Sequence, residues 1–398
     1  MSLKGQVCTK GVWDESVPGI RFDEHGVSNY ARIQERMMAD FPRGEKGQAD
    51  WLALLEKVKK SGRGKPYDCI IGVSGGVDSS YLLHICKNEY GLRPLAVNFD
   101  NGWSSDIAVK NIRKVTQKLN IDLETYVVDY EEMKDLLRTY MRASLPWIDG
   151  PTDTAIKATM YKIARQTGVK YVFRGNDFRS EGKQPREWTY SGSRQMKYLH
   201  RKFGELKKLS SFPDLTLSGL IWSGYVRGIK DIRPYYFLEY KKQDARTLLE
   251  NEYGWEYYGG HHHENIFTKF AMSAWLPGKF GIDKRKITLS AQILSGAMNR
   301  EEAIAELEKP PADEDGIEKM TAYVLKKLDI STEEYDAIWN APNKYYDDYP
   351  SDISLIMAVN KYLMPLVRLV YPIKPMSFYE IDGRAKEKGL SAAEKPGA

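Results

Sequence analysis

The sequence predicts an α/β fold, a doubly wound parallel sheet, and three observations point to it. Short β-rich runs alternate with helical stretches from residue 68 to residue 173, the connections between them are short, and a glycine-rich turn joins the first run to the first helix. An N-terminal extension precedes this region and a mainly helical C-terminal domain follows it.

Residues 1–50 mix turn formers with charge and contain one helical stretch, over 30–38. Trp51, Leu52, Leu54, Leu55 and Val58 repeat at helical spacing, and Ser61-Gly62-Arg63-Gly64-Lys65-Pro66 ends the pattern. The extension therefore runs over 1–65 and the α/β domain over 66–235. Strands are expected over 68–73, 94–99, 123–128 and 170–173, with helices over 79–90 and 108–119 and a third, capped by Thr152 or Asp153, running to Gln166. Past Pro234 the pattern turns to helices and aromatic loops, a second domain over 236–382. Asn299 with Glu302, and Ser331 with Glu334, each set a capping side chain three residues before a carboxylate. The run 310–316 is a linker, and the polar tail 383–398 is expected to be disordered.

The 398 residues carry 42% hydrophobic and 28% charged side chains, enough for a large core, and a formal net charge of +5, too slight for a dedicated nucleic-acid surface. Acidic small ligands are the simpler expectation. Three scattered cysteines, Cys8, Cys69 and Cys86, make no disulfide framework. The first residues lack the apolar stretch of a signal peptide, and Lys361, Pro365 and Arg368 interrupt the most apolar segment, so a cytoplasmic enzyme is expected.

The informative segment is Ser74-Gly75-Gly76-Val77-Asp78-Ser79-Ser80, between the first strand and its helix. A helix N-terminus offers unpaired N–H groups and a positive dipole end, and two glycines let the backbone curl round an anion. Neither a Walker loop, whose lysine is missing, nor a dinucleotide fingerprint fits.

Ser-Gly-Gly-x-Asp-Ser after a buried strand resembles the PP-loop of the ATP pyrophosphatases, HUP-like enzymes that cleave ATP between its α and β phosphates. The resemblance implies that Ser74, Gly75, Gly76, Val77 and Ser79 hold the pyrophosphate of ATP, with Asp78 near a magnesium ion. Asp100, at the end of the second strand, falls where these enzymes cradle adenine and ribose, or is a turn residue that satisfies its own backbone. Arg174-Gly175-Asn176-Asp177 follows the fourth strand into the same crevice, with Gly175 permitting close approach.

Further stretches resemble one branch of these enzymes, the N-acetyl sugar amidotransferases of bacterial surface-polysaccharide and nonulosonic-acid biosynthesis. They are Pro18-Gly19-Ile20-Arg21-Phe22-Asp23, Val97-Asn98-Phe99-Asp100-Asn101-Gly102-Trp103, Pro151-Thr152-Asp153, Ile232-Arg233-Pro234, Gly259-Gly260-His261-His262-His263-Glu264 and Lys279-Phe280-Gly281-Ile282-Asp283-Lys284-Arg285. The resemblance implies substrate contacts from Asn101, Trp103, Thr152, Asp153 and Asn176. It makes His262 and Glu264 candidates to orient substrate or manage a proton, against an aromatic polar loop packed on Trp255, Tyr257 and Tyr258. Lys284 and Arg285 are candidates to stabilise the leaving pyrophosphate, against a solvated basic face. The family commonly carries two cysteine pairs suited to zinc; here those positions are Cys8, Gly11, Ser28 and Ala31, so no structural zinc is expected.

What the family implies is an acetamido oxygen adenylated by ATP, then ammonia displacing AMP to leave an acetamidino group. No cysteine here sits in a nucleophile turn, so the ammonia is expected from a separate glutaminase and an ammonia-channel subunit similar to those of imidazole-glycerol-phosphate synthase. The alternatives are a tRNA-modifying PP-loop enzyme, a non-catalytic nucleotide-binding module, and direct amide synthesis on another acceptor.

Overall fold

The computed structural model describes residues 3–259, 264–311, 314–362 and 374–385. Five strands, β1 (Cys69–Gly72), β2 (Pro94–Asp100), β3 (Leu123–Val127), β4 (Tyr171–Phe173) and β5 (Lys230–Ile232), form one parallel sheet in the order β3-β2-β1-β4-β5. The chain leaves β1 for β2 on one side and later returns to β4 on the other. That reversal opens a crevice at the carboxyl end of β1, where doubly wound sheets bind ligands.

Alternation along β1 decides which layer each residue supports. Ile70 packs with Met160, Ile163 and Val172 under the helix Gly150–Thr167, whereas Ile71 packs with Trp51, Leu82, Leu83 and Leu249 under the opposite helices. The edge strand β3 buries little, and its Val127 side chain faces solvent.

A third apolar core joins regions far apart in the chain. Trp13 and Tyr30 of the extension, Leu136 and Tyr140 of the helix Tyr130–Arg142, and Phe267, Trp275 and Val324 of the C-terminal region pack together. The helices after Pro234 thus share their core with the extension and the sheet domain. One of them, Lys242–Tyr253, lies against Val77–His84 behind the glycine-rich loop.

Several elements differ from expectation. The stretch 79–90 is an α-helix only over Val77–His84 and continues as a π-turn over Ile85–Glu89. Tyr130–Arg142, which was not expected, is a helix capped by Asp129, and β5 is too short to leave an alternating signal. The helix expected to be capped by Thr152 or Asp153 begins at Gly150, because Pro151 is accommodated in its first turn. Order persists past Gly383 in the helix Met376–Ala385, where Arg384 pairs with Glu187 at 2.9 Å and Glu380 at 3.0 Å, so its charge is satisfied rather than solvated. Asn299 and Ser331 cap their helices through the main-chain N–H groups of Glu302 and Glu334.

Cys8, Gly11, Ser28 and Ala31, the four positions at which the resemblance implies cysteine pairs, do come together. Gly11 N–H donates to the Cys8 carbonyl at 3.3 Å, Ser28 N–H to Cys8 Sγ at 3.2 Å, and Ala31 N–H to Ser28 Oγ at 3.1 Å. Packing fills the centre: a Cβ on Gly11 would lie 2.7 Å from the Trp13 ring and 3.0 Å from Ser290.

Candidate functional site

A cavity of about 670 Å³ opens at the carboxyl ends of β1, β2 and β4. Its floor is the turn after β1. There Gly75 adopts φ +83°, and a side chain on it would meet the Ala108 carbonyl at 2.3 Å, so only glycine fits. Trp255 Nε1 and Asn111 Nδ2 donate to the Gly75 carbonyl at 2.9 and 3.4 Å and fix the turn from outside. The helix Val77–His84 starts from Gly76, which has no side chain to cap it; Gly76 N–H donates to Ser74 Oγ at 3.4 Å and Val77 N–H to the Tyr258 hydroxyl, which leaves the N–H groups further into the first turn for an anion. Ser79 Oγ ties the turn together, accepting from Ser74 N–H and donating to the Gly76 carbonyl, both at 3.3 Å. Gly175 abuts the loop so closely that a Cβ there would lie 2.9 Å from the Asp78 carbonyl carbon and 3.1 Å from the Ser79 nitrogen.

Asp78 points into the cavity beside Lys242, whose Nζ is 3.6 Å from Oδ2. The Tyr240 hydroxyl donates to Oδ1, and the Tyr235 hydroxyl donates to the Asp78 main-chain oxygen at 2.7 Å. Burial and the adjacent Asp78 charge push the Tyr240 hydroxyl far up, so it stays a donor.

The opposite wall comes from the C-terminal region. Ser74 Oγ donates to Glu264 Oε1 at 3.4 Å, Asn265 Nδ2 donates to Asn101 Oδ1 at 3.2 Å, and Thr268 Oγ1 donates to Asp149 Oδ2 at 2.5 Å. Asn101 in turn donates to Thr152 Oγ1 at 3.1 Å, and Trp147 Nε1 to Asp153 Oδ2 at 2.7 Å. Burial, reinforced by Asp153, raises the Asp149 carboxyl to about 7. Burial also lowers Lys284, whose Nζ lies 4.1 Å from the centre of the Trp147 ring, to about 8.

Cations line the rim. Arg174 and Arg233 share Asp231, at 2.9 and 3.7 Å, and both face the cavity. Next to them burial and the two guanidinium charges lower Lys157 to about 8. One carboxylate between two guanidinium groups leaves surplus positive charge for an anionic ligand.

The structure therefore brings together Ser74, Gly76, Asp78, Ser79, Asn101, Thr152, Asp153, Gly175, Asn176, Glu264 and Lys284 around one cavity. Gly75 and Val77 lie beneath it as the frame of the turn. Others stand apart. Asp100 Oδ1 accepts from Gly102 N–H at 2.9 Å, forming a turn, and Trp103 is wholly buried against Phe267 and does not reach the cavity. Arg285 is bound to Asp283 and to the carbonyls of Glu306 and Lys309, which holds the chain end of a helix and leaves it off the cavity wall. His261, His262 and His263 lie outside the described residues. Lys242, Arg174, Arg233, Asp149 and Thr268 also line the cavity, although the sequence alone assigns them no role there. The first supplies a cation that the loop itself lacks, from a helix start that no local motif marks.

The residues fit ATP with magnesium. Asp78 and Glu264 give two carboxylates beside the glycine-rich turn, and magnesium usually takes one or two carboxylates with phosphate oxygens and water. Among the described residues no group of three metal-ligating side chains occurs.

Residues 264–362 match the family model of the LPS biosynthesis protein WbpG-like, C-terminal domain, and residues 69–176 match that of Asparagine synthase. An uncharacterized protein of Methanocaldococcus jannaschii is 24% identical over 288 residues, which is 72% of this chain and 87% of that protein. Among solved structures, NMN synthetase from Francisella tularensis is 14% identical with a TM-score of 0.31, covering 75% of this chain and 99% of that one. The NH3-dependent NAD synthetase from Campylobacter jejuni is 14% identical with a TM-score of 0.27, covering 71% of this chain and 98% of that one. The U34-tRNA thiolase of Methanococcus maripaludis is 11% identical with a TM-score of 0.31, covering 86% of this chain and 91% of that one.

Proposed function

Because the chain belongs to the WbpG-type family within the PP-loop superfamily of ATP-utilising enzymes, we propose that it is an ATP-dependent amidotransferase converting the acetamido group of a nucleotide-linked N-acetyl sugar to an acetamidino group. The observation that carries this reading is the meeting of Ser74, in the phosphate turn, with Glu264, the first residue of the WbpG-like region. One cavity is thereby shared between the nucleotide-binding sheet and the part of the chain that distinguishes this family.

On this reading the turn over Ser74, Gly76 and Ser79 holds the pyrophosphate, and Asp78 with Glu264 holds the magnesium that neutralises its charge. The acetamido oxygen attacks the α-phosphate and pyrophosphate leaves. Lys242 and Lys284 stand on the wall where negative charge develops, and the surplus charge of Arg174 and Arg233 suits an acceptor that carries phosphate. Asn101, Thr152, Asp153 and Asn176 offer the donors and acceptors that a sugar needs. Ammonia then displaces AMP from the imidate carbon. It is supplied by a separate glutaminase with an ammonia-channel subunit, since Cys69 and Cys86 are buried and burial pushes both thiols up, away from the reactive thiolate. We place the reaction in the cytoplasm, where ATP is available; among the described residues no helix is long and apolar enough to cross a membrane.

The test incubates the protein with ATP, magnesium, ammonium and a panel of nucleotide-linked N-acetyl and diacetamido sugars, and reads AMP, pyrophosphate and product mass. Amidine formation with ammonium but not with glutamine is expected. AMP formation that depends on tRNA instead of a sugar would reject the acceptor, and glutamate release by the isolated chain would reject the separate glutaminase.

A further inference from the structure

Asp149 occupies the position just before the helix Gly150–Thr167, from which an aspartate ordinarily accepts the first helical N–H groups. Its side chain makes no capping bond. The residue is 2% exposed yet lines the cavity, with Oδ2 held by the Thr268 hydroxyl at 2.5 Å, the Thr152 hydroxyl beside the carboxylate, and Oδ1 the less satisfied oxygen among the described residues. A buried carboxylate oxygen turned away from available N–H groups is costly, and a site that keeps one has a use for it.

Its place follows from its partner. Glu264 touches Ser74 of the phosphate turn, and Thr268, four residues on in the same segment, touches Asp149. Both contacts come from one short stretch of the C-terminal region, so Asp149 and the phosphate turn line the same cavity, the one an acceptor bonded to the α-phosphate would occupy. A carboxylate with a less satisfied oxygen is matched by a nitrogen cation bearing N–H groups.

On the reaction read above, on which this assignment rests, we propose that Asp149, oriented by Thr268, is the nitrogen-handling residue of the cavity. Ammonia adds to the carbon of the O-adenylyl imidate, forming the C–N bond and placing the electron pair of the C=N bond on the sugar nitrogen. Asp149 Oδ1 takes one proton from the new ammonium group and returns it to the sugar nitrogen. The C–O bond to AMP then breaks, AMP leaves with that electron pair, and the product is a protonated amidine paired with the Asp149 carboxylate. No proton is gained or lost over these steps. The charged groups around Asp149 are Asp153, which favours its proton, and Lys284, which opposes it; Glu181 and Lys183 act on Lys284 in turn. The carboxyl held at about 7 can both accept and return a proton near neutrality.

The experiment compares wild type with Asp149→Asn, Asp149→Glu and Thr268→Val, using ATP, ammonium chloride and the sugar panel. Asp149→Asn is expected to keep pyrophosphate–ATP exchange within about threefold while amidine formation falls about a hundredfold, and its rate no longer rises through pH ~7. Asp149→Glu recovers part of the rate, and Thr268→Val, which leaves the carboxylate in place, loses about tenfold. Amidine formation by Asp149→Asn within about threefold of wild type, with the same pH profile, overturns the assignment. A separate arm needs no sugar: acetamidinium chloride and neutral acetamide are titrated by ligand-observed NMR in the presence of a non-hydrolysable ATP analogue. Wild type should prefer the cation by about tenfold or more and Asp149→Asn should show no preference. Equal affinities in wild type, or an undiminished preference in the variant, overturn the site. Absence of exchange with every sugar would instead reject the reaction, and the acetamidinium arm still decides whether Asp149 binds the cation.

Discussion

Ser74 and Glu264 are 190 residues apart in the chain, and Ser74 Oγ lies 3.4 Å from Glu264 Oε1. If the turn binds phosphate as proposed, a carboxylate placed against it would repel the ligand unless a cation stood between them. Glu264 and Asp78 are therefore expected to act as a pair. Asp78→Asn should leave the fold intact and lower pyrophosphate release by about a hundredfold, and Glu264→Gln should lower it by about tenfold or more, with both variants needing more magnesium for half-maximal rate. Wild-type turnover and magnesium dependence in either variant, measured by steady-state kinetics, would remove that residue from the pair.

Gly175 sets how closely β4 approaches the phosphate turn. In Gly175→Ala the new methyl would stand 3.0 Å from the Asp78 carbonyl oxygen. Since that neighbour is backbone, the turn must move, at ~1–3 kcal/mol. Calorimetry should show weakened binding of a non-hydrolysable ATP analogue with secondary structure retained by circular dichroism. Unchanged affinity would mean that the turn tolerates displacement.

Cys8 is buried and its Sγ accepts from Ser28 N–H at 3.2 Å, and we predict that it binds no metal. Purified protein should contain no stoichiometric zinc by elemental analysis, and one zinc per chain would contradict the packing of Gly11, Ser28 and Ala31. Cys8→Ala leaves the buried Ser28 N–H without its sulfur acceptor and should cost ~1–3 kcal/mol in chemical denaturation. Chelators should not change the stability of the wild type.

The helix Met376–Ala385 should be acid-labile. Burial alone would raise the Glu380 carboxyl, but Lys183 at 2.7 Å, Arg186 and Arg384 outweigh burial and hold it down at about 2. A carboxyl lowered on folding contributes stability that is complete above its unfolded value of about 4.5 and is lost as pH falls toward about 2. Wild type should lose roughly 2–3 kcal/mol across that window, and Glu380→Gln should flatten this part of the curve. Equal acid dependence in the two proteins would show that Glu380 is not the responsible group.

The glycine-rich turn at the cavity was legible because its geometry is local: strand, two glycines, Asp-Ser and helix are contiguous in sequence. The same holds for the caps at Asn299 and Ser331, each made within three residues. Lys242 and Asp149 were not legible. Lys242 reaches Asp78 from a helix 164 positions later, by packing of Lys242–Tyr253 on Val77–His84. Asp149 resembles, in sequence, any ordinary residue before a helix, and only its missing cap bond distinguishes it. Trp103 and Arg285 show the converse. An aromatic or basic residue in a family segment marks a functional region, yet here the indole completes a core and the guanidinium closes a helix end. Packing decides between those roles, and a single sequence does not carry that information.

Everything proposed for the cavity depends on the acetamido oxygen itself attacking ATP. That step is tested with an acceptor whose acetamido carbonyl carries a heavy oxygen isotope, incubated with the protein, ATP, magnesium and ammonium, and followed by mass spectrometry of the nucleotide. Each amidine formed should be matched by one labelled AMP. Unlabelled AMP alongside amidine, with the heavy oxygen lost to water or pyrophosphate, would contradict the proposed attack.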